Sequence, residues 1–512
     1  MGKLNTALTV VIVTYLAMIS VWYPVSAPLD HDEHQFMASA FMVARYGLLP
    51  YRDFAYFHMP DLVYLYAPFF FIPYPFVAAR LFVGICALAI CLMIFFAARN
   101  LFAGRDKLNS LVVPASSAAL LIQSPLFAHA SSHVWNHMPS TVCAVLAFFL
   151  HCRAIRGDKP LRYFFLSGVS LGGAIGIRLS FAPLVVPFLF AVVVFRGGTM
   201  RDHGMNAAAF ALGGLLPNLP AVYFLLTSYQ DFLFGNLGYA KLNTIYRKET
   251  SFPEAMTVLD KLGQLKNSVY AKPGELLILL TTLYSLILLG IDRARSRLRP
   301  AFEILFLLLL LPFAYFGSMA PTPTWHQYYF APVPFLILLS VYALSILQYS
   351  ASLEAARLLL VLAALVSFVY SSPPRIDSVI RGLIRPQFWA PVRLHQEAAS
   401  IRAYVDSRGG EGKILTLSPL YAVESGLPIY REFVTGPFAW RVSHLLSDEE
   451  AAKRGLPVGS KIGSFLKEKR PRAIVTGKDE KQVEEALVKE AQQLDYWPTV
   501  TTTGLVIWLP PK

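Results

Sequence analysis

Directly after its first apolar stretch the chain reads Pro28-Leu29-Asp30-His31-Asp32-Glu33-His34, three carboxylates and two imidazoles within five residues. Ionisable groups beside hydrocarbon are costly to hold, so such a cluster marks a functional site by default. The residue types suit proton transfer: a positioned base accelerates attack by a weak nucleophile roughly 10²–10⁴-fold. Spacing divides the work. Asp30-x-x-Glu33 has the form of a capping box for a helix that runs to Tyr46 and stops at Gly47. Asp32 falls at the second helical position, where the dipole favours an anion but no cap is required, and is the candidate for chemistry. His31 and His34 either join a divalent metal site with Asp32, His58 or later histidines, or only hydrogen-bond lipid headgroups. No compact ligand motif accompanies them, and no cofactor is required by the sequence.

Other polar residues stand out against apolar surroundings: Arg52, Asp53, His58 and Asp61; His129, His133, Asn136 and His137; Arg178; and Trp325-His326-Gln327-Tyr328-Tyr329. Arg178, at the end of one apolar stretch and the start of another, either snorkels to the surface or pairs with a lipid phosphate. Tyr56, His326, Tyr328 and Tyr329 read either as an aromatic belt or as contacts to a sugar or lipid.

The elements that must position these residues belong to a membrane. Of 512 residues 55% are hydrophobic and 15% charged, and mean hydropathy is +0.50, where a soluble chain carries about a quarter charged residues. The apolar residues form blocks at about 5–24, 76–98, 108–128, 138–155, 162–177, 180–195, 205–227, 274–291, 301–319, 329–347 and 355–371, each near the length of a bilayer crossing. The expected fold is thus a polytopic α-helical membrane protein of about eleven spans over residues 1–371. Met1-Gly2-Lys3 and the apolar run after it, with no small-residue cleavage site, read as a retained first helix. Segment 60–74, broken by Pro60, Pro68 and Pro73, reads as an interfacial or re-entrant piece of a first outer loop, 25–75. The four cysteines lie in or beside spans and form no disulfide framework.

Alternate connections carry Arg99/Arg105/Lys107, Arg153/Arg156/Lys159/Arg162, Arg196/Arg201 and Arg293/Arg295/Arg297/Arg299, while the opposite set at 129–137, 178–179 and 320–328 has Arg178 as its only cation. The positive-inside rule then places the N-terminus in the cytoplasm and the acidic cluster outside. Seven of the eleven histidines fall in the outer loop segments named above. Only the 228–273 loop, rich in Lys and Arg, fits less well. The net charge of +13 reflects this topology and not nucleic-acid binding. From residue 372 short strand-like runs (413–418, 472–476, 505–509) alternate with helical ones (394–407, 447–454, 461–469, 479–494), which predicts a soluble extracytoplasmic α/β domain over 372–512.

One reaction fits a single outer carboxylate beside a cation: transfer of a sugar from a lipid-linked phosphate to a hydroxyl. The phosphate leaves without protonation if cations or donors neutralise it, and the hydroxyl needs a base. Asp32 and Arg178 supply that minimum, and a single displacement inverts the anomeric centre.

The order of a first span, Asp32-Glu33 opening an outer helix, Gly47-x-x-Pro50-Tyr51-x-Asp53 and Tyr56-Phe57-x-x-Pro60 resembles the membrane glycosyltransferases of the GT-C superfamily, in the branch of protein O-mannosyltransferases and the lipid A aminoarabinose transferase. The resemblance covers about the first 180 residues, to Gly172-Gly-Ala-Ile-Gly-Ile-Arg178, where related enzymes often carry a Lys. It implies a polyprenyl-phosphate sugar donor, a glycolipid, polysaccharide or protein acceptor, the bacterial cytoplasmic membrane as location, and Asp32 as the catalytic Asp, with Asp30, Glu33, His58, Asn136 and His137 supporting it. The chain departs from the aminoarabinose branch at His58-Met59-Pro60, which replaces Glu-Lys-Pro and resembles the His-Pro-Pro of the mannosyltransferases. That loss of a phosphate-binding Lys shifts the role to Arg178 or to a cation of the 228–273 loop. Asn136-His137-Met138-Pro139 stands where many relatives have a second Asp. The alternative is a multi-pass transporter or lipid flippase, but the spans look nearly free of buried charge and show no repeated halves. A non-catalytic scaffold is the third reading.

Overall fold

Every one of the eleven apolar blocks is helical in the computed structural model, which describes residues 2–103, 109–250, 257–296, 301–348, 350–370, 374–408, 411–458, 461–478, 481–501 and 504–511. Arg105, Lys107, Arg297, Arg299 and the boundary at 371–372 lie outside the described residues, as do 479–480 at the start of one expected helix. The membrane part comprises α1 (Gly2–Ser26), α2 (His31–Tyr46), α3 (Asp61–Tyr66), α4 (Pro75–Leu101), α5 (Asn109–Ile122), α6 (Pro125–Ala130), α7 (His137–Arg156), α8 (Pro160–Ile177), α9 (Val185–Phe195), α10 (Met200–Leu215) and α11 (Leu219–Thr227). Three helices, α12 (Tyr229–Leu233), α13 (Tyr239–Glu249) and α14 (Val258–Leu265), fill the long loop before α15 (Pro273–Ser296), α16 (Phe302–Met319), α17 (Val333–Ser345) and α18 (Ser350–Tyr370).

Among the described residues, seven helices are long and apolar enough to cross a membrane, and α10 with α11 make an eighth if their 69° bend is counted within one span. Of the remaining blocks, 162–177 is the unbroken α8, and others are interrupted at proline. Pro125 opens α6 and separates it from α5, and Leu216-Pro217 breaks α10 from α11. Segment 60–74 forms α3 and a 3₁₀ turn to Phe71, too short to cross. Helices α8 and α10 touch backbone to backbone: a Cβ on Gly168 would stand 2.0 Å from the Phe210 carbonyl oxygen, so only glycine permits the approach.

The C-terminal part contains α19 (Ile376–Leu383), α20 (Ala390–Ser407), β1 (Ile414–Thr416), α21 (Leu420–Glu424), α22 (Pro437–Ser443), α23 (Asp448–Lys453), α24 (Ile462–Lys469), β2 (Ala473–Thr476), α25 (Lys481–Gln493), β3 (Trp497–Val500) and β4 (Val506–Leu509). The sheet order is β1-β2-β4-β3, with β1 and β2 parallel and the other pairs antiparallel. The three expected strands are present. The unexpected β3 contains Pro498, tolerated because β3 is an edge.

This α/β part does not stand apart from the membrane part. Phe36, Phe41 and Val63 of the first outer segment share one apolar cluster with Leu394, Ile414, Leu420 and Val475. A smaller cluster joins Phe57 to Ala439, Ala451 and Leu456. Arg454 bridges to Asp231 at 3.3 Å and lies 4.2 Å over the Phe234 ring, and His444 meets Glu249 at 3.0 Å.

Candidate active site

The start of α2 is built by the capping box that its spacing predicts. The Asp30 carboxylate accepts the Asp32 N–H at 2.9 Å, and Glu33 Oε2 accepts the Asp30 N–H at 2.9 Å. Asp30 also accepts the Trp135 indole N–H at 3.1 Å. Glu33 does more than cap. Arg80 of α4 donates to it at 2.6 Å with both side chains fully buried, and the Val134 N–H donates to its other oxygen at 2.6 Å. The same guanidinium donates to the carbonyls of Pro24, Pro28 and Ser132, tying α1, the entry to α2 and the segment before α7 into one knot. Burial raises the Glu33 carboxyl, but Arg80 and His133 outweigh it and hold it at about 2.

Arg80 was invisible to the polar-loop reading because it sits inside an apolar block. The signal was present: a lone cation in the first turns of a membrane helix requires a partner. The expectation of spans nearly free of buried charge is corrected here, since Arg80, Glu275, Asp292 and Glu303 are all buried. They lie near helix ends and serve structure: Glu275 accepts from Ser124 and the Leu126 N–H, Asp292 from the Gln348 N–H, and Glu303 pairs with Arg156.

With Asp30 and Glu33 so engaged, Asp32 is the carboxylate of the cluster that no cap or buried ion pair uses. It keeps 32% of its side-chain surface open, and its nearest ionisable neighbour is His31, 3.6 Å away. Burial pushes its carboxyl up to about 6; His31, Arg441 and His133 draw it down, and Asp30 adds to the rise.

Arg178 is buried between α8 and the 3₁₀ turn Leu179–Leu184. Its Nη1 donates to Asn136 Oδ1 at 2.9 Å and contacts the His137 ring at 2.7 Å, Nε donates to Ser180 at 2.8 Å, and the guanidinium lies 4.3 Å over the Tyr328 ring. Among the described residues its Nη2 takes no hydrogen bond. It is enclosed, so the snorkelling alternative does not describe it. Asp32 and Arg178 act on each other electrostatically, as do Arg178 and His58.

The other expected residues divide. Asn136 and His137 hold Arg178, and His326 stacks on His129 at 4.5 Å beside them. His58, half-buried with its ring 5.0 Å from that of Phe36, is held near 3 first by burial and then by Arg178. Tyr56 and Tyr329 are corrected from substrate contacts to core residues: Tyr56 is 1% exposed, and Tyr329 is fully buried with its hydroxyl on the Lys261 carbonyl. His31 and His34 do not converge on a metal. His31 stacks on Phe438 of α22 at 5.4 Å, whereas the His34 ring is taken up by the Leu420 N–H, which it accepts at 3.2 Å; although three apart on one helix, the two imidazoles are engaged by different neighbours. Among the described residues no group of three or more His, Cys, Asp or Glu side chains gathers as a metal site.

The 228–273 loop, offered as an alternative source of a phosphate-binding cation, contributes Arg247, whereas Arg441 was not anticipated. Arg247, in α13, is buried over the Trp325 ring at 5.7 Å, a cation from the loop that fitted the charge rule least well. Arg441, in α22, is buried one turn from Phe438 and acts on Asp32.

Comparison with known proteins agrees with the motifs. The sequence model of the dolichyl-phosphate-mannose-protein mannosyltransferase family matches residues 69–224. Over 99% of this chain and all of the other, the structure superposes on ArnT from Cupriavidus metallidurans bound to undecaprenyl phosphate, with a TM-score of 0.63 at 14% identity. The apo form of that protein gives the same score over 99% of each chain. The apo oligosaccharyltransferase of Archaeoglobus fulgidus is similar over 98% of this chain and 74% of its own, with a TM-score of 0.51 at 13% identity. No curated protein sequence matches the chain. The fold is that of the GT-C membrane glycosyltransferases that the motifs resemble.

Proposed function

We propose that this integral membrane protein is an inverting glycosyltransferase that moves a sugar from a polyprenyl-phosphate donor to an acceptor hydroxyl. The observation that carries the reading is the pairing of roles in two groups that interact electrostatically: Asp32 is partly open and unspent on capping, while Arg178 is fixed by Asn136, His137 and Ser180 with one nitrogen left to donate. Asp32 takes the acceptor proton as the hydroxyl oxygen attacks the anomeric carbon. The bond from that carbon to the phosphate oxygen breaks on the opposite side, and polyprenyl phosphate leaves against Arg178, with Arg247 as a second cation. At neutral pH a carboxyl titrating near 6 is mostly ionised and still basic enough to accept a proton. The fold shared with ArnT, whose structure holds undecaprenyl phosphate, supports the donor class. The charge bias of the loops supports an N-terminus inside and the site and residues 372–512 outside, and the resemblance to the aminoarabinose transferase branch supports a bacterial cytoplasmic membrane. The acceptor is a glycolipid, polysaccharide or protein.

The test uses Asp32→Asn in membranes supplied with polyprenyl-phosphate sugars. Transfer is lost while the protein still inserts, and mass spectrometry of lipids copurifying with the variant finds a trapped lipid-phosphate sugar. Normal turnover in the variant sinks the assignment.

A further inference from the structure

The α/β part reaches the start of α2 through α22. Gly436, at φ 58°, turns the chain into this helix where a Cβ would meet the Leu417 carbonyl oxygen at 2.6 Å. The helix wedges its Ala439 into the cluster around Phe57, and Phe438 stacks on His31 at 5.4 Å with 24° between the rings. Arg441, three residues on, shares that face: its guanidinium lies 5.7 Å over the Phe438 ring and only 5% of the residue is exposed. Arg454 with Asp231 and His444 with Glu249 fasten the same region to α12 and α13.

We propose that Arg441 is a positioning residue of the transfer site: docking of the α/β part brings its fixed positive charge to Asp32 and keeps that carboxylate ionised as the base. A carboxylate partly withdrawn from water is more easily protonated unless a cation lies near it. Arg178, on the membrane side, is committed to the leaving phosphate, and His31 and His133 supply positive charge only when protonated. The groups whose charges act on or are acted on by Asp32 are Asp30 and His31 on its own helix end, His133 from the segment before α7, Arg178, Tyr239 of α13 and Arg441, the last reaching it across Phe438, which stacks on His31, itself 3.6 Å from Asp32. Of these, Arg441 is the permanent cation not assigned to the donor. It follows that the α/β part is a condition of catalysis and not a cover over it.

This inference rests on Asp32 as the base, yet its test needs no product. Dicyclohexylcarbodiimide modifies protonated carboxyl groups, so labelling of Asp32 in the full-length protein in detergent, followed by peptide mass spectrometry across pH 4–9, reads the ionisation midpoint directly. Arg441→Gln moves that midpoint up by about one pH unit, the size of effect a close opposite charge produces. Arg441→Lys, which keeps the charge, retains the wild-type midpoint. If Arg441→Gln is not recovered folded, Arg441→Met is measured in its place. An unmoved midpoint, or equal shifts in the Gln and Lys variants, overturns the proposal. Either result leaves the transferase reading to its own test with Asp32→Asn.

Discussion

Arg80 and Glu33 form a fully buried ion pair, 2.6 Å apart, that joins the first turn of the site helix to a membrane-spanning helix. Breaking one side strands a charge away from water, at a cost of about 3–5 kcal/mol. Glu33→Gln and Arg80→Met are therefore each expected to lower the unfolding midpoint sharply in detergent. The double variant costs less than the sum of the two, which a double-mutant cycle on thermal unfolding checks.

The same pair sets an acid limit. The folded Glu33 carboxyl titrates near 2, below its ordinary 4.5. A depressed carboxyl stabilises the fold fully above the unfolded value, and that contribution disappears as pH falls through the window from about 4.5 to about 2. Thermal unfolding measured down this window should show wild type losing stability faster than Glu33→Gln.

Transfer itself should fail at a higher pH. Asp32 works as a base only when ionised, and it titrates near 6. The rate at saturating donor rises with pH through about 6 and then levels. A rate independent of pH between 5 and 7 assigns the base role elsewhere.

Arg178 is predicted to act on the departing phosphate. Arg178→Gln lowers kcat by about 10²–10³, the usual cost of removing one donor from developing charge. Arg178→Lys keeps the charge but loses the fork to Asn136 and His137, and falls between the two. Release of polyprenyl phosphate in purified protein measures both.

Gly176 of α8 packs against the first outer segment so closely that a Cβ would stand 2.0 Å from Asp61 Oδ2. Gly176→Ala should destabilise by about 1–3 kcal/mol through overpacking. Asp61→Ala, which vacates the space, should restore most of the loss in the double variant. Midpoints of unfolding decide it.

The sequence exposed what rests on local rules. Asp30-x-x-Glu33 specified a helix start that the structure contains, and the length of apolar blocks specified the helices. Asn136, His137 and Arg178 were legible as unusual polar residues beside spans, but not their mutual hydrogen bonds, which depend on how α7 and α8 pack. Tyr56 and Tyr329 misled because an interfacial tyrosine and a buried one look alike until packing is known. His31 and His34 looked like one ligand pair, as their spacing on one helix allows, but Phe438 and Leu420 of the C-terminal part each occupy one ring, which only the packing reveals. Arg441 was out of reach for a further reason: some 400 positions separate it from Asp32, and no periodicity connects them.

The apolar cluster shared by Phe36, Phe41, Leu394 and Leu420 bears on how such proteins can be recombined. A seam drawn where hydropathy drops would leave two complementary greasy faces, one on each fragment. The interchangeable unit is instead the C-terminal part together with the segment around α2 and α3 on which it sits. Grafting that unit between related transferases would transplant the wall of the reaction cleft with it, so a swap meant to alter acceptor preference would carry the acid–base chemistry across as well.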